Sequence, residues 1–184
     1  MQPRTGDHTM RLTHHQPTPT ETHRLRHWIA NWIGANWLWH ARILSATETS
    51  ATQARRSGPC VPIHLLKPAF PSLAEDAEAR GIEFDIEIDS HGVREDRVRG
   101  VPHMGQGLFG APQAEMRITN LSASSPLRNP ENTGALAIFV FRPGPGPDSP
   151  KCRIWICRNP AETDVAGDLI GPVEPGFPVP WGPG

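Results

Sequence analysis

The stretch "SPLRNPENTGALAIFVF", Ser125–Phe141, joins a long turn to an apolar segment. Asn, Pro and Gly in its first half supply local backbone hydrogen bonds, a fixed φ and a permitted positive φ. Its second half, Ala135–Phe141, carries no charge and predicts a buried strand. Because most hairpin loops use about two to five residues, so long a turn indicates a loop that is shaped for a partner or attached to a neighbouring segment.

The composition sets the limits on what surrounds this stretch. With 184 residues the chain is long enough for one domain with a core and some tail. The 21 prolines and 17 glycines predict that loops and tails take a large share of it. No apolar run approaches the ~20 residues of a membrane span, and the polar N-terminus is not a secretory signal. Three scattered cysteines, Cys60, Cys152 and Cys157, favour a reduced, cytoplasmic setting.

The net charge of −1 argues neither for nor against nucleic acid, but the basic residues are unusual. Of 18 basic residues, only Lys67 and Lys151 are lysine. Arginine is suited to bidentate pairing with phosphate and guanine. High genomic GC content would produce the same bias, so both explanations stay open.

The pattern of elements predicts a mainly β domain with short helices, of the α+β class. We expect a disordered tail over residues 1–20, one domain over 21–176, and the start of a linker over 177–184, which suggests a chain cut from something longer. About seven strands do not alternate with long helices, so the pattern favours a partly closed barrel with helices at its ends. The stretch "NWLWHARIL", Asn36–Leu44, is apolar on both faces and predicts an interior strand.

Local signals define several elements more sharply. Strict alternation over Ile82–Ile88 predicts a strand with its isoleucines inward and its carboxylates outward, and broken alternation just after it allows a bulge. A helix is predicted to begin at Thr20 or Thr22. Another is predicted after Asn159, the expected N-cap, with Pro160 in its first turn.

The sequence offers no pattern for catalysis. GxSxG, the phosphate loop and a GxGxxG that joins a strand to a helix are all missing. Cys152 and Cys157 are five residues apart and should point to opposite faces, so they cannot share a zinc ion. The carboxylates Glu83, Asp85 and Glu87 lack the nearby lysine of a nuclease metal site and are expected to be a solvated face. We therefore expect no enzyme in this chain.

Two Arg-bearing segments that read as irregular remain, Thr47–Ser57 and Pro102–Arg117. Both combine arginine with Gln, His or Glu, the side chains that read base edges in DNA. Glu115 and Arg117 are two apart in a predicted strand and share a face. Spacing alone does not distinguish base recognition from a surface ion pair of little energy.

The quoted stretch resembles the "SPLxxPENTGAL" motif of the N-terminal effector domain of EcoRII-type restriction endonucleases. The resemblance continues through "IWICRNPAETDVAGDLIGPVEPG" and, upstream, through "LSATETSAT" and "FGAPQAEMRIT", over roughly residues 28–176. It implies a DNA-binding pseudobarrel, similar to the plant B-three domain, in which two arms grip the major groove at a CCWGG site. In such type IIE enzymes a separate catalytic domain cleaves the DNA. The resemblance also implies a bacterial cytoplasmic protein. It assigns the quoted loop a structural role, in which the loop braces the barrel.

The resemblance places the arms on the two Arg-bearing segments. The predicted DNA contacts are Thr52, Gln53, Arg55, Arg56, Arg99, His103, Gln106, Gln113, Glu115 and Arg117. The chain departs from the family where Ala111, Gln113 and Met116 replace basic residues, which leaves the unchanged CCWGG site in question.

The expected partners are double-stranded DNA and a tethered nuclease domain. No cofactor is expected for this chain, which should bind as a monomer, and Mg²⁺ is expected only for the nuclease domain. An alternative function also follows from the missing basic residues. It is a protein-interaction or autoinhibitory domain that regulates a tethered nuclease without specific DNA binding.

Overall fold

The computed structural model describes residues 19–33, 38–50, 58–70, 81–106, 112–142 and 151–173. Its helices are α1 (Pro19–Trp32), α2 (Ile63–Leu66) and α3 (Pro160–Ile170). Its strands are β1 (Leu38–Ile43), β2 (Cys60–Pro62), β3 (Ile82–Ile88), β4 (Val93–Gln106), β5 (Pro112–Thr119), β6 (Leu136–Arg142) and β7 (Lys151–Ile156). Two single 3₁₀ turns, Pro126–Arg128 and Pro130–Asn132, precede β6. None of the described helices is long and apolar enough to cross a membrane.

The seven strands form one sheet in the order β1-β6-β7-β3-β4-β5-β2. All neighbours are antiparallel except β3 and β7, which run parallel. The sheet curls into a nearly closed barrel, so the predicted mainly β pseudobarrel is confirmed. The edge strands β1 and β2 follow each other in the described part of the chain and lie at opposite ends of the sheet order.

Strand β3 shows the predicted alternation. Phe84, Ile86 and Ile88 are buried, while the carboxylates between them are exposed or half-buried. The predicted bulge is also present, because the β3–β4 register shifts between Phe84 and Ile86. Arg97 has a φ of 56° on the opposite strand. Its backbone N–H donates to Asp85 Oδ1 at 3.0 Å.

The apolar half of the quoted stretch becomes β6, which is buried on both faces. Phe139 and Phe141 point into the barrel interior, where they pack with the inward residues of β3 and β7. Ile138 and Val140 point the other way, against α1 and α3. A strand between two hydrophobic layers has no solvated face, and this explains why the segment contains no charge.

The prediction for the stretch Asn36–Leu44 is partly wrong. Its described part, β1, is an edge strand that pairs only with β6. Trp39 and Ala41 pack beneath α1, and His40 is also buried. The strand is apolar because a helix covers one of its faces and the barrel covers the other. A strand in the middle of the sheet would show the same apolar pattern, so the sequence alone cannot distinguish the two positions.

The signals around α3 are confirmed. Asn159 is the N-cap and accepts from the Glu162 backbone N–H at 3.0 Å, and Pro160 begins the helix. Cys152 lies in the barrel interior and Cys157 lies beneath the helices, on opposite faces as predicted. Helix α1 begins one residue before Thr20. The tail and linker predictions fall mostly on residues outside the described ranges, and the domain limits stay predictions.

Candidate nucleic-acid interface

The structure describes the predicted DNA contacts to different depths. Four lie outside the described residues: Thr52, Gln53, Arg55 and Arg56. Gln106 and Gln113 lie at the facing ends of β4 and β5, and only their backbone is described. The side chains that are described belong to Arg99, His103, Glu115 and Arg117.

The second predicted arm is more regular than its sequence indicated. We expected an irregular segment over Pro102–Arg117, but β4 continues to Gln106 and β5 begins at Pro112. The two strands pair in one antiparallel register from Arg99 opposite Thr119 to Gln106 opposite Pro112. Glycine and proline weaken the local strand signal, and the ladder forms nevertheless because its hydrogen bonds come from the partner strand.

The four described contacts share the outer face of this hairpin. His103 lies opposite Glu115, and Arg99 lies opposite Thr119. Met116 and Ile118, which alternate with the outward residues of β5, are fully buried in the barrel. Because the inward side chains fix the register, the outward ones cannot turn away without exposing core residues.

Arg117 is oriented by a hydrogen bond to His103. Its Nη2 donates to His103 Nε2 at 2.8 Å. A guanidinium can only donate, so the neutral His103 ring accepts at Nε2 and carries its proton on Nδ1. Arg117 Nε is buried and has no hydrogen-bond partner among the described residues. The guanidinium is therefore positioned but keeps unused donor capacity.

Strand β2 covers the other side of Arg117. Cys60 is its register partner on β2, and Pro62 is that of Glu115. Burial raises the pKa of the Cys60 thiol, and a hydrogen bond with Arg117 only partly opposes this. The thiol stays protonated at neutral pH and leaves the charge of Arg117 uncompensated.

Other described arginines are paired with carboxylates within the protein and so have a structural role. Among ion pairs between described residues, the arginines with a carboxylate oxygen within 4 Å are Arg42, Arg94, Arg97, Arg153 and Arg158. Arg153 illustrates the class: it binds Glu87 at 2.8 Å and Asp89 at 2.6 Å, and it packs under the Trp32 ring. The acidic outer face of β3 is thus paired with arginine rather than simply solvated. No group of three or more His, Cys, Asp or Glu side chains that could bind a metal ion occurs among the described residues.

Arg99, Arg117 and Glu115 differ from that class. No ion pair within 4 Å joins Glu115 to Arg117, so the alternative of a surface ion pair is wrong for the described structure. Arg99 is exposed. Together with His103 and Arg117, it lines an open cleft of about 570 Å³ on the outer face of the hairpin. With Glu115 nearby on β5, this face presents donors and an acceptor that the described part of the protein does not use.

Glu48 organises the base of the predicted first arm, which is the described part of the chain on either side of that arm. The carboxylate is 6% exposed and accepts from the Ser45 N–H and hydroxyl, both at 2.8 Å, and from the Cys60 N–H at 3.1 Å. It also pairs with Arg42 Nη2 at 2.9 Å. The Gly58 N–H donates to the Glu48 carbonyl at 2.9 Å. The two ends of the segment that carries the predicted first arm are therefore joined.

The quoted loop is attached to the same base. The Gly134 N–H donates to the Leu44 carbonyl at 2.8 Å, and the Thr133 and Thr49 hydroxyls lie 2.6 Å apart. Asn132 is buried and donates from its side chain to the Pro126 carbonyl at 2.8 Å. The length of the connection follows from the sheet order, because β5 and β6 are not neighbouring strands and a hairpin turn could not join them.

The sequence profile of the family described as "Restriction endonuclease EcoRII, N-terminal" matches residues 34–184. This chain belongs to the EcoRII N-terminal family. It is 28% identical over 151 residues to the "Type II restriction enzyme EcoRII" of Escherichia coli. The match covers 81% of this chain and 37% of that enzyme, so the chain spans little more than a third of its relative.

Membership in the EcoRII N-terminal family confirms the resemblance carried by the PENTGAL motif. The sequence patterns did not reveal the contribution of Glu48 and Arg42 to the site. A signal was present, since Glu48 is the only acidic residue between Ser45 and Pro59. A single carboxylate in such a small, polar segment indicates a specific partner, but the partner itself cannot be read from spacing.

Proposed function

We propose that this effector domain binds double-stranded DNA in a sequence-specific manner, at a CCWGG-like site. Two arms enter the major groove, and binding directs or activates a tethered nuclease domain. The observation that carries the proposal is Arg117, a half-buried guanidinium that is oriented by His103 and has no carboxylate partner among the described residues. A charged group in that position is best satisfied by an acceptor from outside.

The chemistry of the outer face fits G·C and C·G pairs. Arginine donates to guanine O6 and N7, and a glutamate accepts from the cytosine amino group. Arg117 and Glu115 present one of each on the same face of β5. A two-stranded ribbon also fits the B-DNA major groove, which is about 12 Å wide. Arg99 lies further along the hairpin and is suited to a phosphate.

A gel-shift titration tests the proposal directly. With a CCWGG duplex and a scrambled duplex of the same composition, at moderate salt, we expect the CCWGG duplex to bind at least ~10³-fold more tightly. Equal binding of the two duplexes would contradict sequence recognition. Complete absence of salt-dependent binding would instead support the alternative, a domain that regulates its nuclease through protein contacts alone.

We also propose that this chain alone does not cleave DNA and needs no cofactor. The carboxylates of β3 are engaged by arginines, among them Asp85 with Arg94 at 3.2 Å and Glu83 with Arg97 at 3.4 Å. A nuclease centre needs carboxylates free to bind Mg²⁺ and orient water. Mg²⁺ then belongs to the tethered nuclease domain, and this chain acts as a monomer in the bacterial cytoplasm.

Incubation of the purified chain with CCWGG plasmid and Mg²⁺ should leave the plasmid intact. Site-specific cleavage that persists through purification would contradict this prediction. Three control variants identify the source of any cleavage: Glu83→Gln, Asp85→Asn and Glu87→Gln. Cleavage by a site on β3 would be lost in these variants, whereas cleavage from any other source would persist.

A further inference from the structure

Glu48 lies where the two edges of the barrel meet. β1 and β2 are the edge strands of the sheet, and no backbone ladder joins them in the described residues. Arg42 on β1 spans this gap, because its Nη1 donates to the Cys60 carbonyl on β2 while its Nη2 pairs with Glu48. We call Arg42, Ser45, Glu48 and Cys60 the Glu48 network.

The same network is connected to the second arm. β2 pairs only with β5, and Cys60 is the register partner of Arg117. Just before β2, the Pro59 carbonyl accepts from the Ile118 N–H at 2.9 Å. Whatever fixes the start of β2 therefore fixes the strand that presents Glu115 and Arg117.

Glu48 itself is not available to DNA. Four donors converge on a carboxylate that is 6% exposed. Such a group is stable only while those donors stay in place, and a change at either edge strand would leave it buried and unpaired. The carboxylate thus couples the position of β1 and the first-arm base to the position of β2 and β5.

We infer that Glu48 is a positioning residue that sets the two DNA-binding arms in one register, so that both can engage a single site. This inference rests on the proposed DNA-binding function. It assigns specificity to a buried residue that is not itself available to DNA. Loss of Glu48 should weaken binding to the specific duplex and leave non-specific binding, which depends on phosphate contacts, unchanged.

The test uses Glu48→Gln, which keeps the side-chain volume and turns one acceptor into a donor that faces other donors. We expect it to lower affinity for CCWGG by about tenfold, with unchanged affinity and salt slope on scrambled DNA. Glu131→Gln, which removes the same charge from an exposed residue of the quoted loop, is the matched control and should bind like wild type. An equal loss on both duplexes would overturn the inference.

A double-mutant cycle between Glu48→Gln and Arg117→Ala tests the coupling. If Glu48 acts by positioning Arg117, the two losses are not additive, and additive losses would contradict coupling through β2 and β5. Arg42→Lys is the substitute variant if Glu48→Gln does not fold. It keeps the positive charge but cannot contact the Cys60 carbonyl and the Glu48 carboxylate with two separate nitrogens. It should show the same loss confined to the specific duplex.

Amide exchange of the free protein tests positioning without DNA. We expect Glu48→Gln to accelerate exchange of the Ile118 N–H and to leave the Ile138 N–H in the β6 layer unchanged. Unaltered exchange at Ile118 would overturn the inference even where DNA binding is specific. If the wild-type chain shows no preference for CCWGG, the proposed function is rejected. If Glu48→Gln nevertheless accelerates exchange at Ile118, the structural coupling through Glu48 is retained.

Discussion

Replacing Arg117 by alanine should lower affinity for the CCWGG duplex by about 1–3 kcal/mol, or roughly 5–150-fold, and relax discrimination at one base position. The guanidinium is oriented by His103 at 2.8 Å and has no carboxylate partner among the described residues, so little internal energy is lost when it turns its donors to guanine. Arg117→Lys should recover little of the loss, because an ammonium cannot reproduce the planar fork.

The measurement is a set of gel-shift titrations on CCWGG and on duplexes with one base pair changed at a time. Arg97→Ala is the matched control, since Arg97 lies on β4, is exposed and pairs with Glu83. It removes the same charge and should change affinity by less than about 0.5 kcal/mol. If Arg117→Ala weakens every duplex alike and lowers the salt slope by about one, Arg117 contacts a phosphate and its proposed role is wrong.

Gly58→Ala should destabilise the fold by about 4 kcal/mol. Gly58 has a φ of +124°, and an added Cβ would clash with the Ile118 backbone carbonyl oxygen. Strain in this region of φ costs about 1–3 kcal/mol, and overpacking adds typically ~1–3 kcal/mol. A backbone atom cannot move aside as a flexible side chain can, so the contact between the first-arm base and β5 has to open.

Gly134→Ala separates the two causes. Gly134 also has a positive φ, +83°, but nothing lies within 4 Å of its added Cβ. Its variant should lose only the strain, about 1–2 kcal/mol. Thermal and urea unfolding of both variants give the comparison, with a shift of about 2–4 °C in Tm per kcal/mol for a chain of this size. Equal losses would mean that Ile118 does not block Gly58.

Local chemistry made several elements predictable from the sequence. The alternation of β3 follows from the two-residue period of a strand, and the start of α3 follows from the caps Asn159 and Pro160. The PENTGAL motif, with the similar stretches before and after it, was enough to indicate the family, which the sequence profile confirmed. The choice of Glu115 and Arg117 as a pair on one face also needed only the period of a strand.

Other features depended on residues far apart in sequence, and only the tertiary structure decided them. The extension of β4 and β5 along each other comes from pairing between the two strands, which overrides the weak strand propensity of Pro102 and the glycines of β4. The hydrogen bond of His103 to Arg117 and the ion pair of Arg42 with Glu48 join different segments. Spacing along a chain fixes which side chains share a face of one element. Which arginines contact a carboxylate is decided only when the sheet curls and brings its two edges together.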